Sequence, residues 1–406
     1  MPHATLPAAL AAAQPLLWHN PSRQAARTAL SALPYGMTDI EAAIARWQRF
    51  APLLTHCFPD SVAANGRIDS PLLQQRGDDG SLWIKADHAL PVTACIKARG
   101  GVYEVLCQAE ALAQAAGLLE GGNSYAVLAG DAARALFARH TILVGSTGNL
   151  GYSVGVMARA LGLQVEVHMS SDAKAWKKDR LRALGARVVE HAGDYATAVA
   201  SARTLAAADP ASYFIDDESS LLLFFGYAAA ARDLKAQLDA CGQLPTPARP
   251  LRVYLPCGVG GAPGGVAFGL KCLYGDAVQI VFVEPVASPC FLLRLASGDD
   301  RLSVYDIGLD NRTLADGLAV PRASATVAGL VQHLVDAVVT VSDNSLLAEV
   351  RHQWQQYGLR LEPSAAAGFV AHRLVASQWA QDVIPVVWTT GGNGLPDEVF
   401  LPLLAS

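Results

Sequence analysis

No C-x-x-C pair occurs among the seven cysteines of this sequence, and their odd number suits reduced thiols rather than a disulfide framework or a zinc site. Charge is scarce as well. Only 17% of the 406 residues are Asp, Glu, Lys or Arg, the formal net charge is -5, and the absence of a basic stripe argues against a nucleic-acid partner. Long hydrophobic runs are missing too: mean hydropathy is +0.25, yet the longest uncharged apolar stretch, around Leu221 to Ala231, falls well short of a membrane span. The alanine-rich opening from Met1 to Leu17 has neither a basic start nor a clear cleavage pattern, so no signal peptide is read and a cytoplasmic protein is expected. There is no internal repeat and no low-complexity tract.

What the chain does have is apolar side chains. At 52% hydrophobic it can bury a large core, and 406 residues exceed one compact unit, so two domains are expected. Asp39 to Phe50 carries apolar residues at helical spacing behind Thr38, which predicts an amphipathic helix capped by Thr38. Leu82 to Lys85 reads as a short strand. A helix is predicted from the region of Lys97 to about Leu118, ended by Gly121 and Gly122. From His140 strands and helices alternate: strands at Thr141 to Val144, Val165 to His168, Arg187 to Glu190 and Tyr213 to Ile215, with helices from Asn149, Asp172 and Tyr195 between them. A turn-rich break from Gln243 to Pro250 precedes strands at Arg252 to Leu255, Val278 to Val283, Ala337 to Val341 and Ile384 to Trp388, and Asp343 is placed to cap a helix stopping at Gly358. The alternation predicts an α/β protein with parallel sheets flanked by helices.

The stretch Cys95-Ile96-Lys97-Ala98-Arg99-Gly100-Gly101 sets one lysine between an apolar turn and a pair of glycines. A lysine condenses with an aldehyde only as the free amine, which favours apolar surroundings, and Leu90-Pro91-Val92 before it and Val102 to Leu106 after it supply them. The pattern suits an anchor for pyridoxal phosphate. On the heptad alone an ordinary surface lysine opening a helix is the simpler reading, and two later glycine-rich stretches reverse that order.

In Val144-Gly145-Ser146-Thr147-Gly148-Asn149 a strand feeds a glycine turn that opens a helix, so its amides point at whatever anion occupies the strand's carboxyl end. A substrate carboxylate fits there; a plain strand-to-helix turn is the alternative. Pro256-Cys257-Gly258-Val259-Gly260-Gly261-Ala262-Pro263-Gly264-Gly265 follows directly on a hydrophobic strand, and its glycines let successive N–H groups converge on a phosphate. It lacks the Lys-Ser/Thr ending of a nucleoside-triphosphate loop, and no G-x-G-x-x-G with a downstream acid supports a dinucleotide. A lone phosphate group is the better guest, with a structural hinge as the bland alternative. Near the C-terminus, Val386-Val387-Trp388-Thr389-Thr390-Gly391-Gly392-Asn393 again ends a strand in hydroxyls and glycines. A threonine facing the pyridine nitrogen would not hold it protonated as an aspartate does, which favours elimination over transamination.

At these motifs the chain resembles the D-serine dehydratase (D-serine ammonia-lyase) family, pyridoxal-phosphate enzymes of the two-domain tryptophan-synthase-β-like fold, fold type II. The likeness runs from Trp18-His19-Asn20-Pro21 and Arg49-Phe50-Ala51-Pro52 through Ala175-Trp176-Lys177-Lys178-Asp179 to Arg360-Leu361-Glu362-Pro363-Ser364. By that resemblance Lys97 would carry the cofactor covalently, Asn149 would bond its 3-oxygen, Gly258, Val259, Gly260 and Gly261 would bind its phosphate, and Thr390 would face the ring nitrogen. Thr147 and Asp217 would work with Lys97 on the substrate side, among Ser146, Gly148, Asn149 and Cys95. A helix-cap hydroxyl and a solvated acidic turn are the plain readings of Thr147 and Asp217. The run Glu284-Pro285-Val286-Ala287-Ser288-Pro289-Cys290 resembles the cation-binding corner of related dehydratases, which implies K+ or Na+ near Glu284, Ser288 and Cys290; a capped turn with a buried free cysteine fits the same residues.

The implied organisation is an N-terminal scaffold and first part of the large domain over 1–135, a small domain over 136–230, and the remainder of the large domain over 231–406. The implied activity is α,β-elimination of D-serine to pyruvate and ammonia, with D-threonine a further substrate, in a monomer or homodimer whose partner is a small amino acid and neither nucleic acid nor membrane. Elimination or β-replacement on another 3-substituted amino acid shares the fold, and a non-catalytic pyridoxal-phosphate-binding protein would keep the cofactor site. The chain departs from the family pattern at His88-Ala89, at Thr93-Ala94-Cys95 and at Asn393, all beside the cofactor motifs.

Overall fold

Two sheets divide the strands of the computed structural model, which describes residues 8–405 except 61, 62, 64, 78, 79, 147, 172, 193 and 194. In chain order the strands are β1 (Leu16–His19), β2 (Leu72–Gly77), β3 (Gly80–Lys85), β4 (Thr141–Gly145), β5 (Gln164–Ser170), β6 (Arg187–His191), β7 (Ser212–Ile215), β8 (Leu251–Pro256), β9 (Val278–Pro285), β10 (Ala337–Val341) and β11 (Ile384–Trp388). The seven-stranded sheet has the order β1-β10-β9-β8-β11-β3-β2, and the four-stranded sheet the order β6-β5-β4-β7. The smaller sheet is parallel throughout. In the larger one the interior strands are parallel and both outermost strands, β1 and β2, run antiparallel to their neighbours.

The composition explains this arrangement. β8, β9, β10 and β11 are near-continuous apolar runs, and almost every residue in them is buried, as in parallel strands covered on both faces. Helices Leu221–Ala228 and Gly261–Tyr274 pack closely against each other because Gly265 and Gly269 leave room: a Cβ on Gly265 would meet the Phe224 carbonyl oxygen and one on Gly269 the Ala228 carbonyl oxygen. Phe224 and Phe268 fill the seam with their rings 5.4 Å apart, each side chain contributing about 1.5–3 kcal/mol by burial.

The strands expected from the pattern all form, most of them longer by a residue or two at an end. The helix boundaries differ more. The N-terminal helix spans Met37–Cys57 and its cap is Gly36, not Thr38: the Gly36 amide donates to Asp39 Oδ2 at 2.8 Å, so the third helical residue reaches back to satisfy the turn. The helix after Lys97 ends at Ala115 rather than Leu118, with Gly117 in the left-handed region at φ +70°, upstream of Gly121 and Gly122. Ser342, not Asp343, caps Asp343–Tyr357; Asp343 instead accepts from Thr313 Oγ1 and the Leu314 amide. The helix expected from Asp172 runs Ala175–Ala183, and Asp172 lies outside the described residues. No helix among the described residues is long and apolar enough to cross a membrane.

Candidate active site

Lys97 immediately precedes one wide π-helical turn, Ala98–Val102, which continues into helix Tyr103–Ala115. The segment before it is pinned to the strand end of β11: the Ile96 amide donates to the Thr390 carbonyl at 2.7 Å, and Cys95 bridges to Gly391. The segment after it is held by buried charge. Arg99 forks onto Asp87 at 2.7 and 2.9 Å, the Trp388 indole donates to the same carboxylate at 2.8 Å, and Lys85 pairs with Asp69 at 2.7 Å. Arg99 holds the Asp87 carboxyl below its usual range against the opposing effect of complete burial. Strands β3 and β11 and the turn carrying Lys97 are thus tied through one cluster.

The lysine opens into a cleft between the two sheets, at the carboxyl ends of β4, β8 and β11. Its Nζ lies 3.9 Å from Asp217 Oδ2 and 6.0 Å from the centroid of the Tyr227 ring, whose buried hydroxyl has no hydrogen-bond partner among the described residues. Opposite, Gly258, Val259, Gly260 and Gly261 turn from β8 into helix Gly261–Tyr274. Gly260 adopts φ +112°, and a Cβ there would stand 2.5 Å from the Phe291 ring; a Cβ on Gly258 would press at 3.2 Å on the Gly317 carbonyl oxygen and Leu318 Cα. No hydrogen bond among the described residues engages the Gly258, Val259 or Gly260 amides. Gly264 and Gly265, in the same run, serve helix packing instead.

A third wall comes from Asn149, Glu362 and Thr390. Asn149 Nδ2 donates to Glu362 Oε1 and Oε2, at 3.2 and 3.1 Å, and Thr390 Oγ1 donates to Oε1 at 3.0 Å. Glu362 can sit so near the end of β11 because Gly391 leaves room: a Cβ there would be 2.8 Å from Oε1. Two residues on, the Ser364 hydroxyl lines the same cleft, buried and without a hydrogen-bond partner among the described residues. An amine at one end, unengaged amides at a helix start, an amide side chain with a carboxylate between them and an orphaned hydroxyl are a donor set that fits pyridoxal phosphate: Lys97 for the aldehyde, the glycine turn for the phosphate, and Asn149, Thr390 and Ser364 for the polar edge of the ring.

The remaining expected site residues are placed as follows. Ser146 and Gly148 line the cleft, with the Ser146 hydroxyl accepting the Gly148 and Gly151 amides at 3.2 and 3.0 Å. Thr147 lies outside the described residues. Cys95 is buried beneath Lys97 rather than along the cleft; its Sγ accepts the Lys97 amide at 3.3 Å and stands 3.8 Å from Ser153 Oγ, and burial pushes the thiol up to about 11. The departures from the family pattern fall into two groups. Thr93 and Cys95 share Ser153. His88 accepts the Asn393 amide at its carbonyl while its ring pairs with Thr389 Oγ1 at 2.9 Å, and burial pushes the imidazole down to about 4, which keeps it neutral.

Glu284 is fully buried and accepts the Phe291 and Leu292 amides at 2.7 and 2.8 Å, capping helix Cys290–Ser297. Ser288 binds Asn311 Oδ1 and the Val320 carbonyl, and Cys290 Sγ faces the Gly258 carbonyl at 3.4 Å. No group of three His, Cys, Asp or Glu side chains among the described residues is placed to hold a metal ion.

Reading the residues alone assigned no role to Glu362, Ser364, Lys177 or Asp316, all of which line the cleft. Glu362 carried one usable signal: it directly precedes a proline that opens helix Pro363–Gln378.

Comparison with known proteins extends the picture. The chain matches the family described as "Pyridoxal-phosphate dependent enzyme" over residues 66–389. A probable D-serine dehydratase of Chromobacterium violaceum is 50% identical over 406 aligned residues, 94% of this chain and 91% of that one. A probable D-serine dehydratase of Rhizobium leguminosarum bv. trifolii is 48% identical over 414, covering 96% and 94%. Among solved structures, diaminopropionate ammonia lyase from Escherichia coli in complex with D-serine superposes with a TM-score of 0.74 over 96% of this chain and 97% of that one, at 17% identity, which speaks for a shared fold.

Proposed function

The chain belongs to the pyridoxal-phosphate dependent enzyme family, and on that premise we propose that it is a D-serine ammonia-lyase, eliminating the β-hydroxyl of D-serine as water to release an enamine that tautomerises and is hydrolysed by water to pyruvate and ammonia, with D-threonine as a second substrate. The observation that carries the reading is the convergence in one cleft of Lys97, the Gly258 to Gly261 turn and Asn149 bonded to Glu362, in a chain half identical to a relative named probable D-serine dehydratase. Bound pyridoxal phosphate supplies an electron sink conjugated to the substrate's α-carbon.

The protein's residues do the rest. The amides of Gly258 to Gly261 hold the phosphate at the start of Gly261–Tyr274, where the helix dipole favours an anion. Asn149 and Thr390 fix the polar edge of the ring, and Thr390, a neutral hydroxyl already donating to Glu362, adds no proton to the ring nitrogen. The turn Ser146 to Asn149 orients the substrate carboxylate, setting which face the α-hydrogen occupies. Lys97 Nζ takes that proton, and Asp217, 3.9 Å away, orients the amine. The β-hydroxyl leaves as water. Thr147, next to Ser146 in the sequence, is assigned to the substrate side as well, and Cys95 shapes the pocket from beneath Lys97.

The proposal includes a small domain over 136–230, supported by the four-stranded sheet being built wholly from Thr141–Gly145 to Ser212–Ile215, with the large domain over 1–135 and 231–406. It also includes a monovalent cation, K+ or Na+, at the corner of Glu284, Ser288 and Cys290, supported by the buried carboxylate and neighbouring oxygens there; activity indifferent to replacing potassium with a bulky organic cation removes that part. A cytoplasmic location, supported by cysteines that are all free among the described residues, and a monomeric or homodimeric state complete it. The deciding experiment measures 2-oxo acid release from D- and L-serine and D- and L-threonine. Turnover confined to L-isomers, or equal for both serine enantiomers, sinks the D-serine reading.

A further inference from the structure

We propose that Lys177 recognises the substrate's carboxylate, making it a specificity-determining residue; the idea rests on the amino-acid lyase reading above. Lys177 lies on helix Ala175–Ala183, on the side of the four-stranded sheet, and its side chain lines the cleft that holds Lys97 with 11% of its surface exposed. Its neighbour Lys178 is committed elsewhere, donating to the Ser171 carbonyl and to Glu190, each at 2.6 Å. Lys177 instead reaches across to the seven-stranded side and pairs with Asp316 at 2.8 Å.

Two features make that pair a resting contact rather than a fixed one. Asp316 Oδ2 is shared, since Lys174 Nζ also binds it at 3.0 Å. When Lys177 turns to another anion, Asp316 keeps a cation partner, so the exchange leaves no unpaired carboxylate in the cleft. The second feature is position. A Cβ on Gly148 would stand 2.8 Å from Lys177 Nζ, so the ammonium already rests against the turn that opens helix Asn149–Leu161. The Gly148 and Gly151 amides are held by Ser146 Oγ, while the Asn149 and Leu150 amides that start the helix have no acceptor among the described residues. An anion entering between them and Lys177 meets amide donors on one side and a full positive charge on the other, a stronger site than either alone.

The ligand this selects is an α-amino acid with a free carboxylate, in preference to its amide, ester or the corresponding amine. The test compares wild-type holoenzyme with Lys177→Gln, Lys177→Arg and Asp316→Asn on D-serine and D-serinamide. Lys177→Gln is expected to raise KM for D-serine about tenfold or more with a smaller change in kcat and no matching change for D-serinamide, so the preference for acid over amide falls by that factor. Lys177→Arg is expected to restore part of it. Asp316→Asn is expected not to raise KM for D-serine, because it frees the ammonium. The proposal is overturned if Lys177→Gln penalises acid and amide equally, or if Asp316→Asn reproduces its effect, since either outcome leaves only a clasp between the sheets. Should Lys177→Gln fail to fold, Lys177→Arg decides: a reduced preference for D-serine over D-serinamide supports the proposal, and an unchanged one overturns it. If wild type does not turn over D-serine, the lyase reading fails by itself. Calorimetric binding of D- and L-alanine against their amides then still decides whether Lys177 reads the carboxylate.

Discussion

Asn149 and Glu362 stand 213 residues apart in the chain and meet through two hydrogen bonds, from Asn149 Nδ2 to Oε1 at 3.2 Å and to Oε2 at 3.1 Å. One residue starts a helix of the smaller sheet and the other precedes a helix of the larger, so the contact joins both sides of the cleft. Burial, and then the Asp316 charge, push the Glu362 carboxyl up, while the bonds from Asn149 and Thr390 oppose them. Glu362→Gln puts an amide nitrogen against the Asn149 donor. We expect weaker cofactor retention and a loss of at least about tenfold in kcat. Dialysis against cofactor-free buffer, followed by absorbance and steady-state rates, measures both, and unchanged values would mean that the bound cofactor dispenses with this contact.

Lys97 is expected to be the lysine labelled when the holoenzyme is reduced with borohydride, and peptide mapping identifies it. Lys97→Ala should abolish the visible absorption band of the covalent link while the glycine turn still binds the cofactor's phosphate. Asp217→Asn, which alters the group 3.9 Å from Lys97 Nζ, should lower kcat by roughly tenfold or more with the band retained. A label on any other lysine overturns the assignment.

The glycine turn makes two different predictions within two residues. Gly260→Ala combines φ +112° with a Cβ 2.5 Å from the Phe291 ring, and should destabilise the protein by about 1–3 kcal/mol and release the cofactor. Gly261→Ala places its Cβ 3.6 Å from the Asp217 carbonyl oxygen, ordinary contact, and should be tolerated. Melting curves with and without added pyridoxal phosphate compare the pair, and equal losses would show that strain at Gly260 is not what the turn requires.

Glu104, fully buried in the first turn after the anchoring segment, accepts Tyr213 Oη at 2.8 Å and Ser220 Oγ at 2.6 Å. Burial pushes its carboxyl up to about 7 from an ordinary 4.5, against those hydrogen bonds. A raised folded value means that the native state binds the proton more tightly than the unfolded chain does. The resulting stability is fully present below the ordinary value and is lost as the pH climbs to about 7, by on the order of 3 kcal/mol. Glu104→Gln keeps an acceptor for Tyr213 and should flatten that fall, leaving the variant at least as stable as wild type near neutrality. Unfolding temperatures at about pH 5 and about pH 8 for both proteins check the sign.

The sheets were legible in the sequence because β8 to β11 are apolar runs bounded by turn residues, and because a parallel sheet has a characteristic alternation. Asn149, Gly258 to Gly261 and Thr390, which meet Lys97 in one cleft, drew notice for a related reason: each follows closely on a strand's end, where the chain turns and small or polar residues stand out, whereas Lys97 stood out by its apolar flanks and the glycine pair behind it. What escaped were contacts between distant segments. Glu362 and Asp316 are single acids in unremarkable surroundings, and only folding sets them against Asn149 and Lys177. Helix ends were the other loss, since Gly36, Ser342 and Gly117 outcompeted neighbouring residues with equally good capping chemistry.

β1 is four residues long, half-exposed, and pairs with β10 through Leu16–His19 against Ala337–Thr340. It shields the flank of Ala-Val-Val-Thr-Val, a fully buried, uncharged, β-branched segment. Stripped of that cover, β10 would present unpaired amides and carbonyls along a sticky border, the geometry that recruits a second chain. Covering that border makes β1 a guard against self-association, and a version lacking Leu16–His19 should lose solubility long before it loses its cleft.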